Sequence, residues 1–197
     1  NEIYDLHMLS LWIVTVIGIV VFGIMFWSIF HHRKSKGVKP ATFSHSTTVE
    51  VIWTIIPLAI IISLAIPATT LLIKMHDTSE PQITLKATGY QWKWNYYSVD
   101  EALTLFSALD AESSEVSQLD SGLNPMETEN YLLNVDNPIV LPINTKIRIL
   151  TTANDVIHAW WVPDLGWKRD AIPGFINDNW AIIEKPGVYR GQCTEIC

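Results

Sequence analysis

The chain of 197 residues is 49% hydrophobic, carries a net charge of −7 and contains nine tryptophans. This length leaves room for one domain of ordinary size and a smaller element. The hydrophobic content is high for a soluble protein, while the net charge is substantial. The two are compatible because the apolar residues and the acids occupy different parts of the chain. The negative charge argues against a nucleic-acid-binding protein.

The first long apolar segment, residues 7–30, contains no charged residue. At about 1.5 Å per residue it is long enough to cross roughly 30 Å of hydrocarbon. A signal peptide is the alternative, but this segment is longer than a typical signal core, its start is acidic (Glu2 and Asp5) and its basic cluster follows it. The pattern predicts a retained transmembrane helix.

The connecting loop, residues 31–48, has four bases and no acid: Arg33, Lys34, Lys36 and Lys39. Short loops rich in lysine and arginine stay on the cytoplasmic side of a membrane. A second apolar segment, residues 49–73, contains two prolines, which membrane helices tolerate when neighbouring helices compensate. We therefore expect residues 1–80 to form a two-helix transmembrane anchor whose outer ends point away from the cytoplasm.

Glu50 lies at the start of the second segment and has two interpretations. Thr47 stands three positions before it, which is the spacing of a capping box at a helix N-terminus. A carboxylate at membrane depth is also a functional candidate. The residues alone favour the capping role.

From about residue 81 the pattern changes to that of a β domain. Short strands are predicted at residues 82–87, 131–135, 146–152, 156–161, 180–184 and 188–192. Turn-forming residues separate these segments, for example Pro173-Gly174 and Pro186-Gly187. We expect residues 81–197 to form an all-β Greek-key sandwich or barrel, with an irregular insertion at residues 98–130.

Acidic residues are concentrated in and just after this insertion. Nine acids and no base lie between Lys93 and Lys146: Asp100, Glu101, Asp110, Glu112, Glu115, Asp120, Glu127, Glu129 and Asp136. Solubility is the simplest explanation of such a surface. The alternative is that the acids attract a basic protein partner, since complementary charge accelerates association.

The chain has two cysteines, Cys193 and Cys197, and His158 is its last histidine. Thiolate and imidazole are the ligand types that select copper or zinc. A disulfide is the alternative, because the compartment outside the cytoplasm is oxidising, and a lone histidine is usually a packed side chain. The cysteines alone leave the metal site and the disulfide equally open.

Three segments resemble subunit II of the haem-copper cytochrome c oxidases: VIHAWWVP at residues 156–163, DAIPG at 170–174 and PGVYRGQCTEIC at 186–197. The resemblance implies a cupredoxin-like domain on the periplasmic or intermembrane-space side of a bacterial or mitochondrial inner membrane. It also implies that the chain takes electrons from cytochrome c and passes them to haem in subunit I. Oxygen reduction and proton pumping would belong to that partner.

The resemblance further implies roles for individual residues. His158, Cys193, Cys197 and the backbone carbonyl of Glu195 would hold a dinuclear copper centre, and the Glu195 carboxylate would contact magnesium or manganese at the interface with subunit I. Within the segment YQWKWNYY, Trp92 would be the exposed residue where electrons enter as cytochrome c docks on the acidic face. Core packing is the alternative role of this tryptophan. Glu50 would lie at the entrance of a proton pathway.

The family motif continues with a histidine four residues after the second cysteine and a methionine three residues later, whereas the printed sequence ends at Cys197. We therefore expect a C-terminally truncated piece of a longer protein, which by itself lacks two copper ligands. Two alternatives remain. One is a copper-free subunit II of a quinol oxidase, and the other is a structural or assembly membrane protein whose cysteines form a disulfide.

Overall fold

The computed structural model describes residues 2–39 and 41–197, which divide into two compact units, Asn1–Lys74 and Met75–Cys197. Two long helices, α1 (Glu2–His31) and α2 (Thr47–Met75), account for the first unit. Both are long and apolar enough to cross a membrane, and no described residue of either helix is buried. An ion pair between Glu2 and Lys74 joins the start of α1 to the end of α2, so the helices form an antiparallel hairpin.

In the described part of the loop between the helices, the chain forms a 3₁₀ turn, Lys34–Lys36. Gly37 ends this turn with a φ of 66°, and its N–H donates to the Lys34 carbonyl at 3.1 Å. Glycine adopts this left-handed conformation without a steric penalty. The turn keeps the basic residues close to the end of α1.

The second unit contains eight strands and one short helix, α3 (Ala111–Val116). The strands are, in chain order, β1 (Ile83–Tyr90), β2 (Lys93–Ser98), β3 (Leu103–Ala108), β4 (Lys146–Ala153), β5 (His158–Val162), β6 (Trp167–Ala171), β7 (Asn177–Ile182) and β8 (Gln192–Cys193). They form a five-stranded sheet in the order β3-β2-β1-β4-β7 and a three-stranded sheet in the order β6-β5-β8. The pair β1 and β4 is parallel, and all other pairs are antiparallel.

The core lies between the two sheets. Along β4 the buried residues alternate with half-buried ones, because successive side chains of a strand point to opposite faces. The buried cluster combines residues of both sheets: Leu85, Ala87, Ile147, Ile149, Trp160, Trp167 and Ala181. This packing is that of a β-sandwich, and the predicted architecture of two apolar helices followed by an all-β domain is confirmed.

Two predicted strands are wrong in detail. Residues 131–135 are mostly turn, and only Val135 forms an isolated bridge, with Leu109. Backbone groups of this segment bond elsewhere, since Leu132 N–H donates to the Ser113 hydroxyl at 3.3 Å and Leu133 N–H to the Asn130 carbonyl at 2.9 Å. The segment predicted at residues 188–192 is a strand only at its end, where β8 begins.

The insertion is more regular than predicted. It contains β3, which pairs with β2 along its whole length, and α3, which is capped by the Asp110 side chain accepting from Ser113 N–H at 3.1 Å. The strand was not predicted because many acids surround it, although Leu103, Leu105 and Ser107 alternate as they would in a strand. An edge strand needs only one apolar face, so its pattern is weak.

Two side chains of β4 and β7 hold the residues just before β1. The Lys146 ammonium donates to the carbonyls of Asp77 (3.0 Å) and Ser79 (2.6 Å) and lies 4.9 Å from the centre of the Trp180 ring. The Asp178 carboxylate accepts from Thr78 Oγ1 at 2.9 Å and from Arg148 at 2.6 Å. These contacts attach residues 77–79 to the five-stranded sheet.

Candidate metal centre

Pairing of β5 with β8 brings His158 and Cys193 together. Trp160 lies opposite Cys193 in this pair, and Thr194 N–H donates to the Ala159 carbonyl at 3.2 Å. His158 is only 2% exposed, and its Nδ1 lies 3.9 Å from Cys193 Sγ, which lies 3.6 Å from Cys197 Sγ. The ligand atoms of all three residues lie within 4.8 Å of one another. We call His158, Cys193 and Cys197 the donor cluster.

The spacing of the donor cluster fits a soft metal centre. Metal–sulfur bonds are about 2.3 Å long, so two sulfurs on one tetrahedral ion lie about 3.8 Å apart. The separation of the two sulfurs, 3.6 Å, is close to this value, and both cysteines are free thiols. Because imidazole and thiolate together select copper or zinc rather than magnesium or calcium, the residues present fit a copper centre.

Asp155 fixes the orientation of the His158 ring. Its Oδ1 lies 2.7 Å from His158 Nε2 and accepts from Val156 N–H at 2.7 Å, while its Oδ2 accepts from Gln91 N–H at 2.7 Å. The hydrogen bonds from His158 and the Gln91 backbone lower the pKa of Asp155 to about 2. The ionised carboxylate can only accept, so Nε2 must carry the proton. The Nδ1 lone pair is then free for a metal ion.

The thiols must lose protons when a metal binds. Burial, followed by the neighbouring Cys193 sulfur, raises the pKa of the Cys197 thiol. The thiolate rather than the thiol is the metal ligand, so binding of a cation releases these protons. A metal ion that binds here therefore displaces the proton of the Cys197 thiol.

Glu195 lies between the two cysteines and is exposed. Its carbonyl accepts from Cys197 N–H at 2.9 Å and lies 4.0 Å from Cys193 Sγ. Its carboxylate accepts from Ile196 N–H at 3.2 Å. The backbone oxygen thus lies beside the donor cluster, while the carboxylate is accessible from solvent.

Gly89 and Trp94 pack against the His158 ring. A Cβ at residue 89 would lie 2.5 Å from His158 Cδ2, which is closer than real atoms approach. The Trp94 ring lies 5.8 Å from the His158 ring at 62°, an edge-to-face arrangement. Gly89 and Trp94 lie opposite each other in the β1–β2 ladder, so both residues of one cross-strand pair contact the imidazole.

Trp92 lies in the turn between β1 and β2 and is 77% exposed. It therefore does not pack in the core, in contrast to the half-buried Trp94 two residues later. The preceding residue, Gln91, connects this turn to the donor cluster, because its backbone N–H donates to Asp155 and its side-chain Nε2 lies 2.5 Å from the Cys197 carbonyl.

Glu50 lies in the first turn of α2, where its N–H donates to the Ser46 carbonyl at 3.0 Å. The predicted capping box is wrong, since among the described residues no side-chain hydrogen bond joins Thr47 and Glu50. The helix already includes Thr47, which puts Ser46 rather than Thr47 at the N-cap position. Glu50 is then one residue beyond the position from which a capping side chain reaches back.

The nine acids in and just after the insertion fall into two groups. Asp100, Asp110 and Asp136 accept from backbone N–H groups of Thr84, Ser113 and Ala108. The remaining six are exposed, and within residues 2–39 and 41–197 none of them forms an ion pair: Glu101, Glu112, Glu115, Asp120, Glu127 and Glu129. Their charge is therefore not neutralised by a neighbouring base.

The structure brings together the three residues that the sequence singled out as donors, but sequence reasoning missed three residues around them. Asp155, Gly89 and Trp94 contact His158, and none of them was predicted to do so. The signal for Asp155 was its position three residues before the histidine. Gly89 and Trp94 gave no comparable signal, because their contact with His158 depends on how the strands pair.

The chain was compared with known families and proteins. Residues 83–197 match the family described as cytochrome c oxidase subunit II, periplasmic domain, and residues 1–71 match the corresponding transmembrane domain. A probable cytochrome c oxidase subunit 2 of Rickettsia bellii is 39% identical over 197 residues, which are 100% of this chain and 70% of that protein. The mitochondrial cytochrome c oxidase subunit 2 of Glycine max is 39% identical over 196 residues, 99% of this chain and 49% of that protein.

A solved structure extends the comparison to the fold. The periplasmic domain of cytochrome oxidase subunit II (CoxB) of Bradyrhizobium japonicum is 36% identical, with a TM-score of 0.51 over 61% of this chain and 77% of that one. The likeness confirms the cupredoxin-like fold of the sandwich, which follows the helical hairpin in the sequence. The chain spans about half to 70% of the length of the curated relatives described above.

Proposed function

Because the chain belongs to the cytochrome c oxidase subunit II family, we propose that it accepts electrons from cytochrome c at a dinuclear copper centre and passes them to haem in subunit I. Oxygen reduction and the coupled pumping of protons take place in that partner. The observation that carries the proposal is the donor cluster, in which one imidazole and two thiols converge within 4.8 Å. The two apolar helices fit a two-pass protein of the inner membrane.

In this proposal His158, Cys193 and Cys197 hold the copper, with the Glu195 carbonyl as a further donor. Copper held by these residues would supply one-electron transfer with little rearrangement of its ligands. The residues around the site keep the ring of His158 in place. Asp155 holds the proton on Nε2. Gly89 leaves room for the ring, because a Cβ on this residue would collide with it.

The Glu195 carboxylate is proposed to contact a magnesium or manganese ion shared with subunit I. Carboxylate oxygens are the ligands that these cations prefer. The exposed position of the carboxylate beside the donor cluster supports this role, since a partner subunit can reach it. The same residue would then serve copper through its backbone and a hard cation through its side chain.

Electrons are proposed to enter at Trp92, where cytochrome c docks. Its 77% exposure leaves most of the indole available to a partner, and the Gln91 contacts connect its turn to the donor cluster. The six unpaired acids of the insertion would attract a basic cytochrome c. Lys93, the next residue in the chain, has its ammonium 4.8 Å from the centre of the Phe106 ring.

Glu50 is proposed to lie at the entrance of a proton pathway into subunit I. It is half-buried at the end of α2 that adjoins the basic loop, the end that the charge distribution assigns to the cytoplasmic or matrix side. A carboxylate in that position can bind a proton from water and release it to a partner.

The test is copper quantitation and electron paramagnetic resonance on the full-length protein purified from its membrane. We expect two coppers per chain with a delocalised mixed-valence hyperfine pattern, and loss of that pattern in Cys193→Ser and in Cys197→Ser. Circular dichroism of each variant separates loss of metal from loss of fold. A folded, copper-free protein with a disulfide between Cys193 and Cys197 would overturn the proposal and assign a structural subunit, such as that of a quinol oxidase.

A further inference from the structure

The loop after α1 carries a dense positive charge that the proposed electron transfer does not use. Arg33, Lys34, Lys36 and Lys39 lie within seven residues, and no acid occurs anywhere in residues 6–49. All four side chains are exposed, and in the described part of the chain none of them forms an ion pair. We call residues 31–39 the basic loop.

The length of α1 places this charge at the level of lipid headgroups. Its 30 residues span about 45 Å, whereas the hydrocarbon of a bilayer is about 30 Å thick. The ends of the helix therefore extend into the headgroup regions. Arg33 follows the end of α1 by two residues, and the 3₁₀ turn advances only about 2 Å per residue. The first three bases thus stay within about one Debye length, roughly 8–10 Å, of the membrane surface.

Aromatic side chains flank the basic loop on both sides. Trp27 (62% exposed) and Phe30 (59%) lie in the last turns of α1, and Phe43 (79%) lies in the loop that leads to α2. The His31 ring stacks on the Trp27 ring at 3.7 Å. Aromatic residues are enriched where hydrocarbon meets headgroups, so these rings mark the same membrane level as the bases.

We propose that the basic loop binds the phosphodiester headgroups of anionic phospholipids. Arg33 offers a planar fork of donors that suits two phosphate oxygens, and the three lysines contribute point charges. Clusters of four or more bases directly beside a membrane helix attract anionic lipid by about fivefold per charge. The acidic β domain has the opposite charge and cannot compete for the same lipids.

The experiment is a lipid titration of the detergent-solubilised full chain, followed by native mass spectrometry. The chain is titrated with phosphatidylglycerol or with phosphatidylcholine of identical acyl chains, and the dissociation constant of the first bound lipid is measured. We expect phosphatidylglycerol to bind about 25-fold more tightly, the effect of two charges at about fivefold each. The preference should weaken as salt is raised, since exposed charges are screened.

Two variants decide whether the basic loop is responsible. The quadruple change R33Q/K34Q/K36Q/K39Q should abolish the preference, whereas K34R/K36R/K39R, which keeps the charge, should retain it. A net-charge control, K86Q/K93Q/K168Q/K185Q, removes four bases from the β domain and should leave the preference unchanged. Circular dichroism checks that each variant keeps its helices.

Four results would overturn the inference. Equal affinities for the two lipids would exclude anionic headgroups as the ligand, and an equal loss of the preference in the net-charge control would show that the basic loop is not their site. Complete competition by millimolar inorganic phosphate would assign the bases to a soluble anion. Protection of these lysines from chemical labelling only when another oxidase subunit is present would assign the loop to a protein interface.

Discussion

The Cα of Gly89 lies against the imidazole of His158, so closely that a Cβ on residue 89 would come within 2.5 Å of His158 Cδ2 and 2.7 Å of Cγ. Gly89 is paired with Trp94 on one side and with Ala153 on the other. A strand in the middle of a sheet cannot move away without breaking both ladders. The ring of the proposed copper ligand is therefore positioned by the absence of a side chain.

Gly89→Ala should displace the His158 ring, because the added methyl and the imidazole cannot share this space. We expect unfolding free energy to fall by about 1–3 kcal/mol, the usual effect of overpacking a core. Copper should bind more weakly with an altered hyperfine pattern. Chemical denaturation and electron paramagnetic resonance measure the two effects. In the control Gly187→Ala, where the nearest side-chain atom is 3.6 Å away, neither should change.

Asp155→Asn should weaken metal binding while leaving the donor atoms intact. The neutral amide no longer enforces the Nε2 proton of His158, and changes of this kind lower metal affinity by about 10- to 100-fold. Competition against a chelator of known affinity gives the dissociation constant. The exposed Asp164→Asn serves as the control. Equal affinities in Asp155→Asn and the wild type would show that the carboxylate does not position the ligand.

Stability at low pH should depend on Asp178. Burial acts to raise the pKa of this carboxyl, but the hydrogen bonds from Arg148 and Thr78 and the charges of Arg148 and Arg169 outweigh it, so the pKa is lowered. A lowered pKa contributes stability that is complete above the ordinary value of about 4 and is lost as the pH falls through the lower, folded value. Asp178→Asn should therefore flatten the acid limb of the stability profile.

The size of this contribution can be measured with a double-mutant cycle of Asp178→Asn and Arg148→Gln at pH 7. Both side chains are about one third exposed (33% and 38%), so solvent screens their charges. We expect a coupling energy of about 0.5–1 kcal/mol. A coupling of zero, or a wild-type stability that is independent of pH below 4, would contradict the assignment.

Trp92→Ala should slow electron transfer from reduced cytochrome c without unfolding the domain. The side chain is 77% exposed, so its removal should change stability by no more than about 0.5 kcal/mol. The bimolecular rate should fall by about tenfold or more, a barrier change of ~1.4 kcal/mol. Stopped-flow mixing measures the rate, and Trp92→Phe, which keeps an aromatic ring, should retain more of it. An unchanged rate in Trp92→Ala would place the entry point elsewhere.

Neutralising acids of the insertion should slow the association with cytochrome c. Glu112, Glu115 and Asp120 are exposed and take no part in a structural hydrogen bond in the described residues. The triple variant E112Q/E115Q/D120N should lower the association rate by about 3- to 10-fold at low salt and reduce its salt dependence. The control D164N/D170N/E184Q removes the same charge outside the insertion. Equal effects of the two variants would indicate a general charge effect rather than a docking face.

Sequence patterns predicted the helices and singled out the residues of the donor cluster because these signals are local. The uninterrupted apolar runs define α1 and α2, and the spacing of Cys193 and Cys197 identifies a pair of soft donors. The support around His158 is not local. Gly89 and Asp155 are brought near the imidazole by the pairing of β1 with β4 and by the Asn154 N–H, which donates to the Gly89 carbonyl at 3.0 Å. No single segment of the sequence contains that arrangement.

The wrong strand at residues 131–135 has the same origin. Its apolar composition suits a strand, but the neighbouring α3 offers the Ser113 hydroxyl to Leu132 N–H, and that hydrogen bond replaces a ladder partner. The opposite error was made at β3, which is a strand but was predicted to be irregular because acids surround it. In both cases the tertiary environment, which the local pattern does not contain, decided the structure.

The carboxylate of Asp155 is shared by two parts of the chain that are far apart in sequence, the backbone of residue 91 and the ring of residue 158. A substitution at residue 155 therefore changes two environments at once. We expect positions 155 and 158 to show epistasis in a deep mutational scan, because their side chains bond to each other. At position 91 every residue except proline keeps the backbone N–H, so evolutionary drift there should be free of this constraint.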